Sequence, residues 1–121
     1  MVVTTFAREF LKTKQLADRA IAQLSDDQLH ARLDPDANSV ATLMTHMAGN
    51  MRSRWTDFLA TDGEKPWRTR DAEFEPPPPS RDDLVAAWET GWQVLFTTLA
   101  ALTDDDLART VTIRGEAQTA L

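Results

Sequence analysis

The chemistry this chain can do converges on one histidine. His46 lies in the segment from Asn38 to Pro76, with Ser39, Asn50, Ser53 and Asp57 forming a polar row beside it at helical spacing. An imidazole there is either one ligand of an incomplete metal site or a satisfied polar residue at the core edge. Catalytic zinc keeps three protein ligands and an open position, and imidazole also suits nickel and iron, so one histidine does not make such a site. His30, the second histidine, follows a short capped turn on another segment and reads as a surface residue. Asp57 stands three turns beyond His46, about 16 Å away on a straight helix, too far to share a metal with it. Ser39, Ser53 and Asp57 share the helix of His46 at spacings set by its pitch, without a nucleophile elbow, so a catalytic triad is not supported. No catalytic residue and no cofactor-binding motif is assigned.

Other polar groups near His46 have structural readings. Asn50, one turn on, either orients the imidazole or is a packing amide. Arg52 and Arg54 suit an anionic substrate, but Arg54 and Asp57 stand three apart, and an ion pair between them is preferred. Met44, Met47 and Met51 read as core, and Trp67, in a loop, as a cap over a pocket.

These residues need elements to position them. Phe6, Phe10, Ala17, Ile21 and Leu24 recur at helical intervals and predict a first helix from about Thr5 to Leu24. Ser25-Asp26-Asp27-Gln28 is a capping box opening a short turn of helix, stopped by Asp34-Pro35-Asp36. A second long helix starts at Asn38 or Ser39 and runs to about Ala60, with Val40, Met44, Met47, Met51 and Phe58 as its apolar stripe and Leu43 and Trp55 at the margins. Residues 61–80 form a charged loop ending in four prolines, a stiff polyproline spacer of about 12 Å. From Ser80 a third long helix carries Leu84, Trp88, Trp92, Leu95, Leu99 and Leu102 as a steady seam. Leu102-Thr103-Asp104-Asp105-Asp106-Leu107 then repeats the type of Leu24-Ser25-Asp26-Asp27-Gln28-Leu29, which suggests two related helical hairpins. Val111-Thr112-Ile113 suits extended chain, and residues from about 115 onward read as the first turns of a further, incomplete helix.

Composition narrows the class. The 121 residues suit one domain, with one core, over 1–121. Thirteen Lys and Arg against nineteen Asp and Glu give a net charge of −6, which argues against nucleic acid or an anionic membrane as partner. The absence of cysteine removes disulfides, thiolate zinc sites and a cysteine nucleophile. No apolar run approaches the roughly 18 residues of a membrane span, and the charged N-terminal stretch lacks a secretory core, so a soluble cytoplasmic protein is expected.

The run Asn38-Ser39-Val40-Ala41, His46-Met47-Ala48-Gly49-Asn50-Met51-Arg52-Ser53-Arg54, Thr56-Asp57-Phe58-Leu59, Asp62-Gly63-Glu64-Lys65 and Arg70-Asp71-Ala72-Glu73-Phe74 resembles an uncharacterised bacterial branch of the DinB-like superfamily. The similarity extends to Leu24 to Leu29 and to Thr112-Ile113-Arg114-Gly115-Glu116. It implies an all-α fold, an up-down-down-up four-helix bundle that is often a homodimer. It also implies a divalent metal, such as zinc, nickel or iron, held by three histidines, one on the second helix and two spaced four apart on the fourth. Related proteins include metal-dependent transferases and isomerases that use small thiols. His46 falls on the first ligand position, and the sequence ends before a His-x-x-x-His would appear, as in a truncated form or a lineage without the site. The resemblance therefore implies a metal-dependent thiol transferase or hydrolase where the triad is complete. The alternative is a non-catalytic helical interaction or remnant protein whose exposed groove is closed by dimerisation.

Overall fold

The computed structural model describes residues 2–34, 36–69, 71–74 and 80–120. The polyproline run expected as a spacer lies outside these residues. Helix α1 spans Val2–Ala22, α2 Asp26–His30, α3 Val40–Trp55 and α4 Arg81–Ala101. Short 3-10 turns lie at Asp71–Phe74, before α4, and at Asp104–Ala108, after it, and strands β1 (Thr110–Ile113) and β2 (Glu116–Thr119) close the described chain. The fold is all-α apart from this small hairpin.

Capping sets the helix starts. Ser25 accepts from the Gln28 amide while Gln28 reaches back to the Ser25 amide, and Ser39 and Ser80 each cap the helix that follows them. At the second copy of the repeated motif Asp106 accepts from the Thr103 amide and hydroxyl, and Asp104 reaches across the fold to accept from the Val2 and Val3 amides at the start of α1. A carboxylate there satisfies free donors and complements the positive end of the helix dipole.

The core forms along α4, whose Leu84, Trp88, Trp92, Leu95 and Leu99 are all buried as the sequence seam predicts. Facing them on α3 are Ala41, Met44, Ala48 and Met51. Met47 and Leu43, expected in or beside the apolar stripe, are instead 40% and 45% exposed. The reason is close approach: a Cβ on Gly91 of α4 would sit 3.1 Å from the Cα of Ala48, so the contact face runs through small residues and turns Met47 outward. Val3 and Ile21 of α1 and Leu29 of α2 complete the cluster. Trp88 Nε1 donates to Asp18 at 2.9 Å, fastening α1 to α4.

Two expectations are corrected. Helix α3 ends at Trp55 rather than near Ala60, because Asp57 takes a φ of 47° and the following backbone folds into a turn in which Ala60 and Thr61 donate to the Asp57 carbonyl. The segment from about 115 is strand, not the start of a helix. Arg114 (φ 52°) and Gly115 (φ 79°) make a two-residue hairpin turn with Ile113 opposite Glu116, and Asp62 accepts from both turn amides. The extended reading of Val111-Thr112-Ile113 holds as β1, with Gly63 donating to the Thr112 carbonyl at 2.7 Å.

Candidate functional site

His46 lies on a face of α3 turned away from α4, and the loop after the helix folds back onto it. Ser53, fully buried on that side, begins the return: its hydroxyl donates to the Gly63 carbonyl at 2.6 Å and accepts from the Lys65 amide at 2.9 Å. Lys65 is buried too, and its ammonium donates to the Ser53 carbonyl at 2.7 Å. Burial pushes this ammonium below the usual lysine value, because loss of hydration around the cation outweighs the attraction of Asp57 and Asp62.

So anchored, the loop delivers Arg68 and Glu73. The Glu73 carboxylate accepts from Arg68 through Nε at 3.0 Å and Nη2 at 2.9 Å, a two-pronged pair with the Arg68 side chain only 2% exposed. Hydrogen bonding to Glu73 holds the Arg68 guanidinium above its ordinary value. Glu73 Oε1 also stands 3.0 Å from His46 Nδ1. A carboxylate oxygen only accepts, so Nδ1 is the donor to it; in the neutral form of the ring the lone pair is then on Nε2.

Glycine makes the approach possible. A Cβ at Gly49, three residues beyond His46, would lie 1.7 Å from Glu73 Oε2, so the carboxylate occupies the space that any side chain there would fill. An interior helix glycine costs about 1 kcal/mol relative to alanine. Here it admits an ion pair against the helix backbone.

The ion pairs continue past Glu73. Glu64 Oε2 stands 3.2 Å from Arg54 Nη1, 3.5 Å from Arg68 Nη1 and 3.9 Å from Arg114 Nε. Arg54 thus pairs with Glu64 and not with Asp57, as expected once α3 stops at Trp55 and the regular three-residue spacing is lost. Trp67 is half-exposed and lies under the Arg52 guanidinium, 5.1 Å from its carbon to the ring centroid, where it makes a cation–π contact in place of the expected pocket cap.

Among the sequence-derived site residues, His46 gains a built setting, and the partner at its Nδ1 is Glu73 from the loop rather than Asn50. His30 sits in the last turn of α2 with Nδ1 2.9 Å from the Asp26 carbonyl. Sequence reasoning missed Glu73, Arg68 and Gly49. The available signal was Gly49 inside a helix, three residues from His46 on neighbouring faces, which marks a close approach. Among the described residues, no group of three or more His, Asp or Glu side chains is placed to hold a metal ion, and no described helix is long and apolar enough to cross a membrane.

A carboxylate-oriented imidazole can coordinate a metal or accept a proton through the nitrogen bearing the lone pair. The family model for a protein of unknown function, DUF1572, matches residues 2–121. No curated protein and no solved structure matches the chain.

Proposed function

The chain belongs to the DUF1572 family of proteins of unknown function, and from that premise we propose that it is a divalent-metal-binding helical protein in which His46 supplies one ligand through Nε2. The observation carrying this reading is the 3.0 Å bond between His46 Nδ1 and Glu73. Metal-ligating histidines commonly donate their other ring N–H to a carboxylate, which fixes the tautomer and raises the basicity of the ligating nitrogen. Arg68 holds that carboxylate in place, and Gly49 leaves it room.

The DinB-like resemblance asks for two more histidines, and the described residues do not provide a complete donor set. They fit one ligand and not a whole site. With the set complete, a metal would supply the Lewis acidity that activates a thiol or a water, the chemistry of a thiol transferase or hydrolase. A cytoplasmic bacterial setting belongs to the same proposal.

The test is metal analysis of protein purified after growth with zinc, nickel and iron. Stoichiometric metal in the wild type, lost in His46→Ala and weakened about 10–100-fold in Glu73→Gln, is the expected outcome. Metal content unchanged in His46→Ala contradicts it.

A second reading has its own support. Leu43 and Met47 are exposed on the outer side of α3 next to His46, a face suited to a second copy in a non-catalytic helical interaction protein. Light scattering is expected to show a dimer, and a well-folded monomer counts against this reading.

A further inference from the structure

A second region, apart from His46, is built to take a ligand. Where α1, the end of α3, the end of α4 and the hairpin meet, a half-open cleft of about 390 Å³ is walled mainly by apolar side chains, among them Phe10, Trp55, Phe58, Leu102, Leu107 and Ile113. Its volume falls in the range of roughly 300–1,000 Å³ usual for small-molecule pockets. Part of its wall is rigid and aromatic: Phe10 meets Trp55 edge-on at 6.1 Å, and Trp55 stacks on Phe58 at 5.0 Å. His46 does not line it.

One charged residue does, and it is under-satisfied. Arg54 Nη1 is buried and makes no hydrogen bond. Its nearest counter-ion, Glu64 Oε2 at 3.2 Å, is likewise buried without a hydrogen bond and is shared with Arg68 and Arg114. The connected network of Arg54, Arg68, Arg114, Glu64 and Glu73 holds three guanidiniums and two carboxylates. The Arg54 Nη1 donor left without a hydrogen bond favours an incoming planar anion, and the apolar walls favour a hydrocarbon body.

We propose that this cleft binds an apolar carboxylate, its body against the aromatic wall and its carboxylate on the Arg54 guanidinium. The ligand class is an aliphatic or aromatic monoacid, and the polar end sits beside Gly63 and Thr112. Gly63 suits that end because Ile113 and the Arg54 stem already crowd it: a Cβ there would meet Ile113 Cγ1 at 3.1 Å and Arg54 Cδ at 3.3 Å.

The experiment titrates the metal-free protein with octanoate and with octanol, below the concentration at which either aggregates, by calorimetry and by methyl NMR of Leu102, Leu107 and Ile113. Metal-free protein keeps the result independent of His46. Octanoate is expected to bind saturably, one per chain, with methyl shifts confined to the cleft, and about tenfold more tightly than octanol. Arg54→Met removes that preference, weakening octanoate about tenfold while octanol stays within about twofold. Should Arg54→Met fail to fold, Leu107→Trp, which fills the rim of the cleft, is expected to abolish binding of both ligands. The proposal is overturned by non-saturable binding, by shifts away from the cleft, by an octanoate preference that survives Arg54→Met, or by Leu107→Trp binding as wild type. A cleft closed by a second copy of the chain also overturns it, and shows as absent binding with a size that depends on concentration.

Discussion

Helix α3 is held on two faces by opposite means. Toward α4 it offers Ala41, Met44, Ala48 and Met51 to an apolar seam whose members recur every three or four residues. Toward the loop it offers His46, Gly49 and Ser53 to Glu73 and Lys65, a polar latch closed by single hydrogen bonds from residues 10 to 27 positions away in sequence. The seam gains from every methylene it hides and tolerates shifts. The latch depends on each partner being present, because a buried charge left unpaired costs more than the pair itself contributes. Stability therefore resides mainly in the seam, and the chemistry of His46 in the latch.

Substitutions on each face separate these roles. Leu95→Ala, at a seam position only 3% exposed, is expected to cost the most, about 3 kcal/mol of unfolding free energy, read as a lowered urea midpoint. The fraction still folded keeps the imidazole signature of the wild type. Glu73→Gln comes next, at about 2 kcal/mol, since it strips the charged partner from a buried guanidinium; its larger effect is on His46, whose ring loses a fixed tautomer. Gly49→Ala acts where the latch meets the helix backbone. In an ordinary helix interior this change stabilises by up to about 1 kcal/mol. Here it is expected to destabilise by about that amount, because the new Cβ displaces Glu73. Thermal melts that show Gly49→Ala more stable than wild type, with the His46 signal unchanged, would break the contrast.

The smallest effect is that of pH at the hairpin. Asp62 accepts from the amides of Glu64, Gly115 and Arg114, which holds its carboxyl below the ordinary aspartate value of 3.8. Asp104, accepting from Val3 and Val2, is lowered in the same way. For a lowered carboxyl, the stabilisation is complete above the unfolded value and is lost as pH falls through the folded one. Protection factors for amide exchange at Arg114 and Gly115, measured against the intrinsic rate at each pH, are therefore expected to fall below about pH 4, while seam amides on α4 stay protected.

The same contrast explains what could be read from the sequence. Leu84, Trp88, Trp92, Leu95 and Leu99 announce their helix by period alone, and Ser25, Ser39 and Ser80 announce where helices start, because these effects are local. Phe58 continues the apolar stripe and so extends the α3 expected from sequence past its end, and only the stacking of Trp55 on Phe58 and the turn at Asp57 show that the chain has already left the helix. Residues from 115 onward read as helix because Glu, Ala and Gln favour it. Pairing with β1 and the grip of Asp62 on the turn outweigh that preference. His46 was visible as a residue of interest, but its partner was not, since Glu73 and Arg68 sit in a charged stretch where many pairings look equivalent. Only the fold selects which carboxylate reaches the imidazole.

The most direct test of the latch is the tautomer of His46, read by long-range nitrogen–proton NMR correlations of the imidazole near neutral pH. The neutral ring is expected to be protonated at Nδ1 with the lone pair on Nε2, and to shift toward a tautomer mixture in Glu73→Gln. A ring protonated at Nε2 in the wild type, or one indifferent to Glu73→Gln, would contradict it.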